Sequence, residues 1–323
     1  MEMDVSQPDV LAVAKLHPFY QQALESRYTV HDRTHLNDPA AFAALAPRIV
    51  GVAGTGEASV PRSLLAQLPQ AKVVSVFGVG YDGVDVAAAI EHGIPVTHTP
   101  DVLTDDVADL AMGLVLSVGR NMPQADRFVR AGQWPGGPFP LGRKVSGARM
   151  GIVGLGRIGK AIARRARAFG MSIAYTARSE KADAGFPYFR TAAELAAHVD
   201  FLVVITPGGA GTRHLINAEV LQALGPRGFL INVARGSVVD EEALIVALQN
   251  GTIAGAGLDV FANEPHVPEA LWSLNNLVLT PHMASATTET RQAMADLAFA
   301  NMLAGTTGQP LHTPVPECAA LLK

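Results

Sequence analysis

The chain has 323 residues, of which 49% are hydrophobic and 17% charged, with a formal net charge of -4. That length exceeds one core of ordinary size, so two domains are expected, with one long α/β domain as the other possibility. The mildly acidic balance supplies no field for tracking phosphate backbones and excludes nucleic-acid binding as the main task, so an anionic ligand must be held by local groups.

The chain opens on the acidic Met1-Glu2-Met3-Asp4, which has no apolar export core, and its longest apolar stretch, around Leu110 to Val118, is far short of a bilayer span. No membrane partner is expected. From Val10 to about Pro100, short β-branched runs alternate with alanine-rich helical ones: Val50 to Ala53, a helix near Ser63 to Gln67, then Val73 to Phe77. This predicts a small βαβ layer with parallel strands. Thr104 reads as an N-cap with Asp105 and Asp106 in the first turn, and the helical pattern continues to about Arg130. The Gly/Pro-rich stretch from Gly132 to Pro140 is predicted to be an arm or loop. Its exposed Trp134 and Phe139 suggest a partner surface, with a self-packed loop as the alternative.

A second series of bounded apolar runs follows: Met150 to Val153, Ile173 to Tyr175, Phe201 to Ile205, Phe229 to Val233, Gly255 to Leu258 and Leu277 to Thr280. These predict buried parallel strands of a doubly wound sheet, and one more helix is expected from about Thr287 to Leu303. No repeat or low-complexity tract is present. The single cysteine, Cys318, excludes an internal disulfide and fits a reducing, cytoplasmic setting.

Gly154-Leu155-Gly156-Arg157-Ile158-Gly159 follows a strand and opens the helix Lys160 to Phe169. In that context G-x-G-x-x-G is a dinucleotide fingerprint, bringing the amides of the helix start to a pyrophosphate. The second strand ends in Tyr175-Thr176-Ala177-Arg178-Ser179, without the acid that accepts from a ribose 2′-OH. Arg178 and Ser179 suit a 2′-phosphate instead, so NADPH is expected over NADH, which remains possible; Arg178 as a solvated surface charge is the other reading. Thr206 and Val233 are further cofactor candidates. Arg235, Glu264 and His282 also sit just past strands, and in an open parallel sheet ligands bind beyond the strands' carboxyl ends. The remaining histidines lack metal-ligand spacing, and no metal is expected.

The run Asn232-Val233-Ala234-Arg235-Gly236-Ser237-Val238-Val239-Asp240, Leu258-Asp259-Val260-Phe261 with Glu264-Pro265, Pro281-His282, the glycine fingerprint and Pro100 to Asp109 together resemble the D-isomer-specific 2-hydroxyacid dehydrogenase family, in its glyoxylate/hydroxypyruvate and hydroxyphenylpyruvate reductase branch. The resemblance spans about residues 45 to 300. It implies an α/β fold of two doubly wound parallel-sheet domains, a Rossmann NAD(P)-binding domain at 100–285 inserted into a smaller flavodoxin-like substrate domain at 1–99 and 286–323. It implies that Arg235 binds the carboxylate and carbonyl of a small 2-keto acid, that His282 is the general acid, and that Glu264 hydrogen-bonds His282. It further implies that Asp259 contacts the nicotinamide end, that the amides of Val79 and Gly80 hold the substrate carboxylate, and that the arm around Trp134 crosses to a second copy in a homodimer.

The chemistry agrees, since a carboxylate beside imidazole favours imidazolium while guanidinium keeps its charge. Gly54-Thr55-Gly56 and the segment Phe77 to Tyr81 are expected to line the pocket, and Gly78 and Tyr81 depart from the Ser and Leu of the aryl-pyruvate reductases. Glyoxylate or hydroxypyruvate is the expected substrate, with 2-ketogluconate and (hydroxy)phenylpyruvate as alternatives. A nucleotide-sensing, co-repressor-like binding protein on the same fold is the alternative from another class.

Overall fold

The computed structural model describes residues 7–322, and the acidic start Met1-Glu2-Met3-Asp4 lies outside the described residues. The chain divides into two compact units, one formed by 1–103 with 286–323 and the other by 104–285. The first break falls after Leu103, where a helix begins, against the expected 99.

The first unit begins with β1 (Asp9–Ala12), α1 (Pro18–Glu25), β2 (Thr29–Asp32), α2 (Thr34–Asn37) and α3 (Pro39–Leu45). It continues with β3 (Ile49–Thr55), α4 (Arg62–Leu65), β4 (Val74–Phe77), α5 (Val86–Glu91) and β5 (Val96–Thr97). All neighbouring strands run parallel, in the order β2-β1-β3-β4-β5. That is the flavodoxin-like order, whose switch point lies between β1 and β3. The strands β3 and β4 are apolar because helices cover both faces of a parallel sheet, and Val52, Val74 and Val76 are at most 1% exposed.

The second unit opens with α6 (Thr104–Gly119) and α7 (Met122–Arg130). The single long helix expected from Thr104 to Arg130 is thus two helices. Asn121 takes a left-handed φ of 53°, and Pro123, in the first turn of α7, has no N–H to continue the ladder. Then come β6 (Arg149–Val153), α8 (Arg157–Ala168), β7 (Ser172–Thr176), α9 (Ala192–Ala196), β8 (Phe201–Val204) and α10 (Ala218–Leu224). The series ends with β9 (Phe229–Asn232), α11 (Glu241–Gln249), β10 (Gly255–Leu258), α12 (Glu269–Trp272) and β11 (Leu277–Leu279).

These six strands form a parallel sheet in the order β11-β10-β9-β8-β6-β7. Beyond β7 the chain makes one more parallel bridge, Tyr175 to Tyr188, a short third strand that the sequence reading passes over. With it the unit has the 3-2-1-4-5-6 order of a Rossmann fold plus one strand, and the crevice for a dinucleotide lies where the order reverses, between β6 and β8.

The chain then returns to the first unit in α13 (Thr288–Thr307), which ends four residues later than expected and is capped by Thr287, whose hydroxyl accepts the Thr290 N–H. α13 packs on β3 and β4, and the buried Ser75 hydroxyl donates to the Ala298 carbonyl at 2.9 Å.

Candidate active site

The glycine turn joins β6 to α8. Gly154 has φ 104° and presses against the Thr206 backbone, and a side chain on Gly159 would collide with the Gly154 carbonyl. Gly156 differs from both, because a Cβ there would enter open space. It is also the N-cap of α8, with no side chain to satisfy the first amides, whereas Asn217, Asp240 and Thr287 cap α10, α11 and α13 with their own oxygens. A helix start whose cap carries no side chain fits a diphosphate, which accepts from N–H groups at the positive end of the helix dipole. Arg157 is exposed and Ile158 half-buried on the first turn, and Arg178 and Ser179 are exposed just past β7. Thr206 follows β8 by two residues, and Val233 is buried directly after β9.

Arg235, Glu264 and His282 follow the carboxyl ends of β9, β10 and β11, and the structure brings the three together. Asn232, 1% exposed, fixes the first: its Oδ1 accepts the Ala234 N–H at 3.1 Å and its Nδ2 donates to the Arg235 carbonyl at 3.0 Å. The half-buried Arg235 turns one guanidinium nitrogen onto the Ala234 carbonyl at 2.8 Å. The next residue must be glycine, since a Cβ on Gly236 would fall on the Phe261 carbonyl. That close approach locks the arginine turn to the segment carrying Glu264. Glu264 accepts from the Phe261 N–H through Oε1 at 2.9 Å and meets Nδ1 of His282 through Oε2 at 2.6 Å. Burial pushes its carboxyl up, but the His282 hydrogen bond, the Phe261 N–H and the charges of His282 and Arg235 outweigh burial and hold it below the ordinary carboxylate range.

His282 has a left-handed φ of 48°, imposed from beneath by Asp259. The His282 N–H donates to the Asp259 carbonyl at 2.8 Å. The Asp259 carboxylate accepts from the Thr280 hydroxyl at 2.7 Å, the Met283 N–H at 2.9 Å and the Ala284 N–H at 3.0 Å. Asp259 is wholly buried and organises the loop that presents the imidazole. Burial pushes its carboxyl up, and those three donors pull against the rise. Asn232, Gly236 and Thr280 are functional positions that reading the sequence missed. Asn232 and Gly236 stand inside the arginine motif, and the only signal was their place beside it.

In the first unit, Val79 and Gly80 follow β4 and are half-buried. The Tyr81 hydroxyl, further along the same segment, donates to Glu317 at 3.0 Å. On the arm, Trp134 is 66% exposed, while Phe139 packs edge-on against Phe128 with ring centroids 5.3 Å apart, so only part of the expected aromatic surface faces solvent. No helix among the described residues is long and apolar enough to cross a membrane.

Residues 112–284 match the model of the D-isomer specific 2-hydroxyacid dehydrogenase NAD-binding domain. A hydroxyphenylpyruvate reductase of Plectranthus scutellarioides is 48% identical over 309 residues, covering 95% of this chain and 98% of that protein. A 2-ketogluconate reductase of Gluconobacter oxydans is 43% identical over 310 residues, covering 96% and 99%. Among solved structures, an NADPH-dependent glyoxylate/hydroxypyruvate reductase of Sinorhizobium meliloti, in complex with NADP and malonate, superposes with a TM-score of 0.88 at 49% identity, covering 97% and 98%. The glycine turn and the Arg-Glu-His cluster thus stand in a chain that belongs to the D-isomer-specific 2-hydroxyacid dehydrogenase family, an oxidoreductase acting on hydroxy acids.

Proposed function

We propose that the protein is an NADPH-preferring 2-keto acid reductase with glyoxylate or hydroxypyruvate as its substrate. The observation that carries this reading is the Arg235, Glu264 and His282 cluster beyond the carboxyl ends of β9, β10 and β11, in the same unit as the glycine turn. When bound, NADPH supplies the hydride that the keto carbon receives. Arg235 pairs with the substrate carboxylate and polarises the keto oxygen. His282 keeps Nδ1 on Glu264 and donates the proton on Nε2 to the developing alkoxide, which yields the 2-hydroxy acid. The ionised Glu264 favours the imidazolium that this donation needs. The amides of Val79 and Gly80 receive the carboxylate, and the Gly154 to Gly159 turn, with Thr206 and Val233, receives the cofactor.

The exposed Arg178 and Ser179 after β7, where no carboxylate stands to repel a 2′-phosphate, support NADPH over NADH. The reductase from Sinorhizobium meliloti is NADPH-dependent, which supports the same choice. The exposed Trp134 and the 98% exposed Leu141 support a homodimer in which this arm lies against a second copy. The single cysteine supports a reducing compartment, and we place the enzyme in the cytoplasm.

The test is oxidation of NADPH and of NADH, followed at 340 nm, against glyoxylate, hydroxypyruvate, 2-ketogluconate, phenylpyruvate and hydroxyphenylpyruvate. The expected result is the highest kcat/KM for glyoxylate or hydroxypyruvate with NADPH. A preference for 2-ketogluconate or an aryl pyruvate overturns the substrate assignment, and an NADH preference overturns the cofactor assignment. NADPH binding without turnover of any keto acid moves the chain to the co-repressor-like reading.

A further inference from the structure

The amides of Val79 and Gly80 make no backbone hydrogen bond among the described residues. Their direction is set by the carbonyl one residue back. A trans peptide is planar, with its N–H opposite its C=O, so a group that holds the carbonyl aims the amide the other way. Both peptides are trans, Glu264–Pro265 being the cis bond among the described residues. The Gly78 carbonyl accepts the Thr99 N–H at 2.8 Å, which orients the Val79 amide. The Val79 carbonyl meets Nδ1 of His98 at 2.8 Å, which orients the Gly80 amide. Because a carbonyl only accepts, this nitrogen of His98 carries a proton.

His98 is itself held from two directions. Its N–H donates to the Thr313 carbonyl at 3.1 Å, and its carbonyl accepts the Thr313 hydroxyl at 2.5 Å. Thr313 is tied in turn to the buried Asn301, whose Nδ2 reaches its hydroxyl at 2.7 Å. The imidazole stands edge-on to Tyr81, with centroids 5.4 Å apart and planes at 89°. Tyr81 is fixed at its far end by hydrogen bonds to both Glu317 oxygens, at 3.2 and 3.0 Å. Burial and the neighbouring Glu317 push the phenol up to about 12, so it remains a donor at neutral pH.

We propose that His98 is a positioning residue for substrate binding: it aims the Gly80 amide at the carboxylate of the 2-keto acid, while the Tyr81 to Glu317 pair fixes the plane of its ring. This rests on the reading above, in which the Val79 and Gly80 amides receive that carboxylate. An amide aimed in advance needs no reorientation when the anion arrives, and the supporting residue can be replaced without touching the reacting atoms.

The experiment uses the full chain with His98→Ala, His98→Asn and Tyr81→Phe. It measures KM and kcat for the best keto acid, inhibition by oxamate as an unreactive carboxylate probe, NADPH affinity and Tm. The asparagine amide nitrogen falls close to where Nδ1 stands, so His98→Asn restores the donor. The expected result for His98→Ala is that KM and the oxamate inhibition constant rise together by about 10-fold, with kcat and NADPH affinity within about 2-fold of wild type. His98→Asn is expected to return both constants to within about 3-fold of wild type, and Tyr81→Phe to raise them by about 3-fold. Unchanged constants in His98→Ala overturn the proposal. So does a loss that His98→Asn fails to reverse, or an equal loss of NADPH affinity, since either marks general damage. A wild-type protein that binds NADPH but neither reduces a keto acid nor binds oxamate removes the underlying reading before any substitution is made, and the proposal falls with it.

Discussion

Replacing Asp259 with asparagine changes one atom and one charge, yet it strikes the loop that carries His282. The carboxylate receives the Thr280 hydroxyl and the Met283 N–H on Oδ1 and the Ala284 N–H on Oδ2. An asparagine that keeps its oxygen toward Thr280 and Met283 must turn its NH2 onto the Ala284 N–H, donor against donor. The change removes one hydrogen bond to a charged acceptor and strands a buried donor, each costing about 1–3 kcal/mol. Against this stands the relief of no longer burying a charge, the effect that pushes the Asp259 carboxyl up. A net loss of about 2 kcal/mol follows, or roughly 4–8 °C in the Tm of a unit this size. Because the same loop fixes the φ of His282, kcat is expected to fall by about 10- to 100-fold, the scale of an ångström of misplacement. Thermal melting and steady-state kinetics on Asp259→Asn measure both quantities. Wild-type Tm together with wild-type kcat would refute the assignment of Asp259 as the support of the loop.

Arg235→Ala is expected to lower kcat/KM by about 1,000-fold or more while NADPH affinity stays within about 2-fold, because the guanidinium is assigned to the substrate and not to the cofactor. Near-normal turnover would remove that role. The Glu264 carboxyl is held below its ordinary 4.5, so its ionised form and the stability it lends are present above that value and are lost as pH falls beneath it. Glu264→Gln cannot favour imidazolium, so the alkaline limb of the kcat profile for reduction should move down by about one pH unit or more. An unmoved limb between wild type and variant would separate Glu264 from the proton donor.

The second sheet was legible because buried parallel strands read as continuous apolar runs, and Phe201–Val204, Phe229–Asn232 and Gly255–Leu258 are buried at every position. The strand at Tyr188 was not, since it amounts to one bridge flanked by Pro187 and has no run of its own. The apolar pattern passed unbroken through Asn121, so the division between α6 and α7 is marked only by its left-handed backbone and by Pro123, a residue that a first helical turn tolerates. The site residues stood out because charged groups directly after strands are conspicuous. Their supports did not: Asp259 holds donors 21 to 25 residues further along, and His98 holds a backbone carbonyl 19 residues before it. Partners at such separations leave no periodicity to read.

The split of the first unit around the second carries a consequence in time. A ribosome has made every strand of the 104–285 unit once residue 285 has emerged, so that sheet can close while synthesis continues. The earlier sheet must wait. The helix that covers β3 and β4 is made last, and the Ser75 hydroxyl waits for a carbonyl 223 positions downstream. Until then, β3 and β4 lack the cover of α13, and contacts of such long sequence separation are slow to form. The strands most exposed to aggregation or to chaperone capture during biogenesis are therefore β3 and β4.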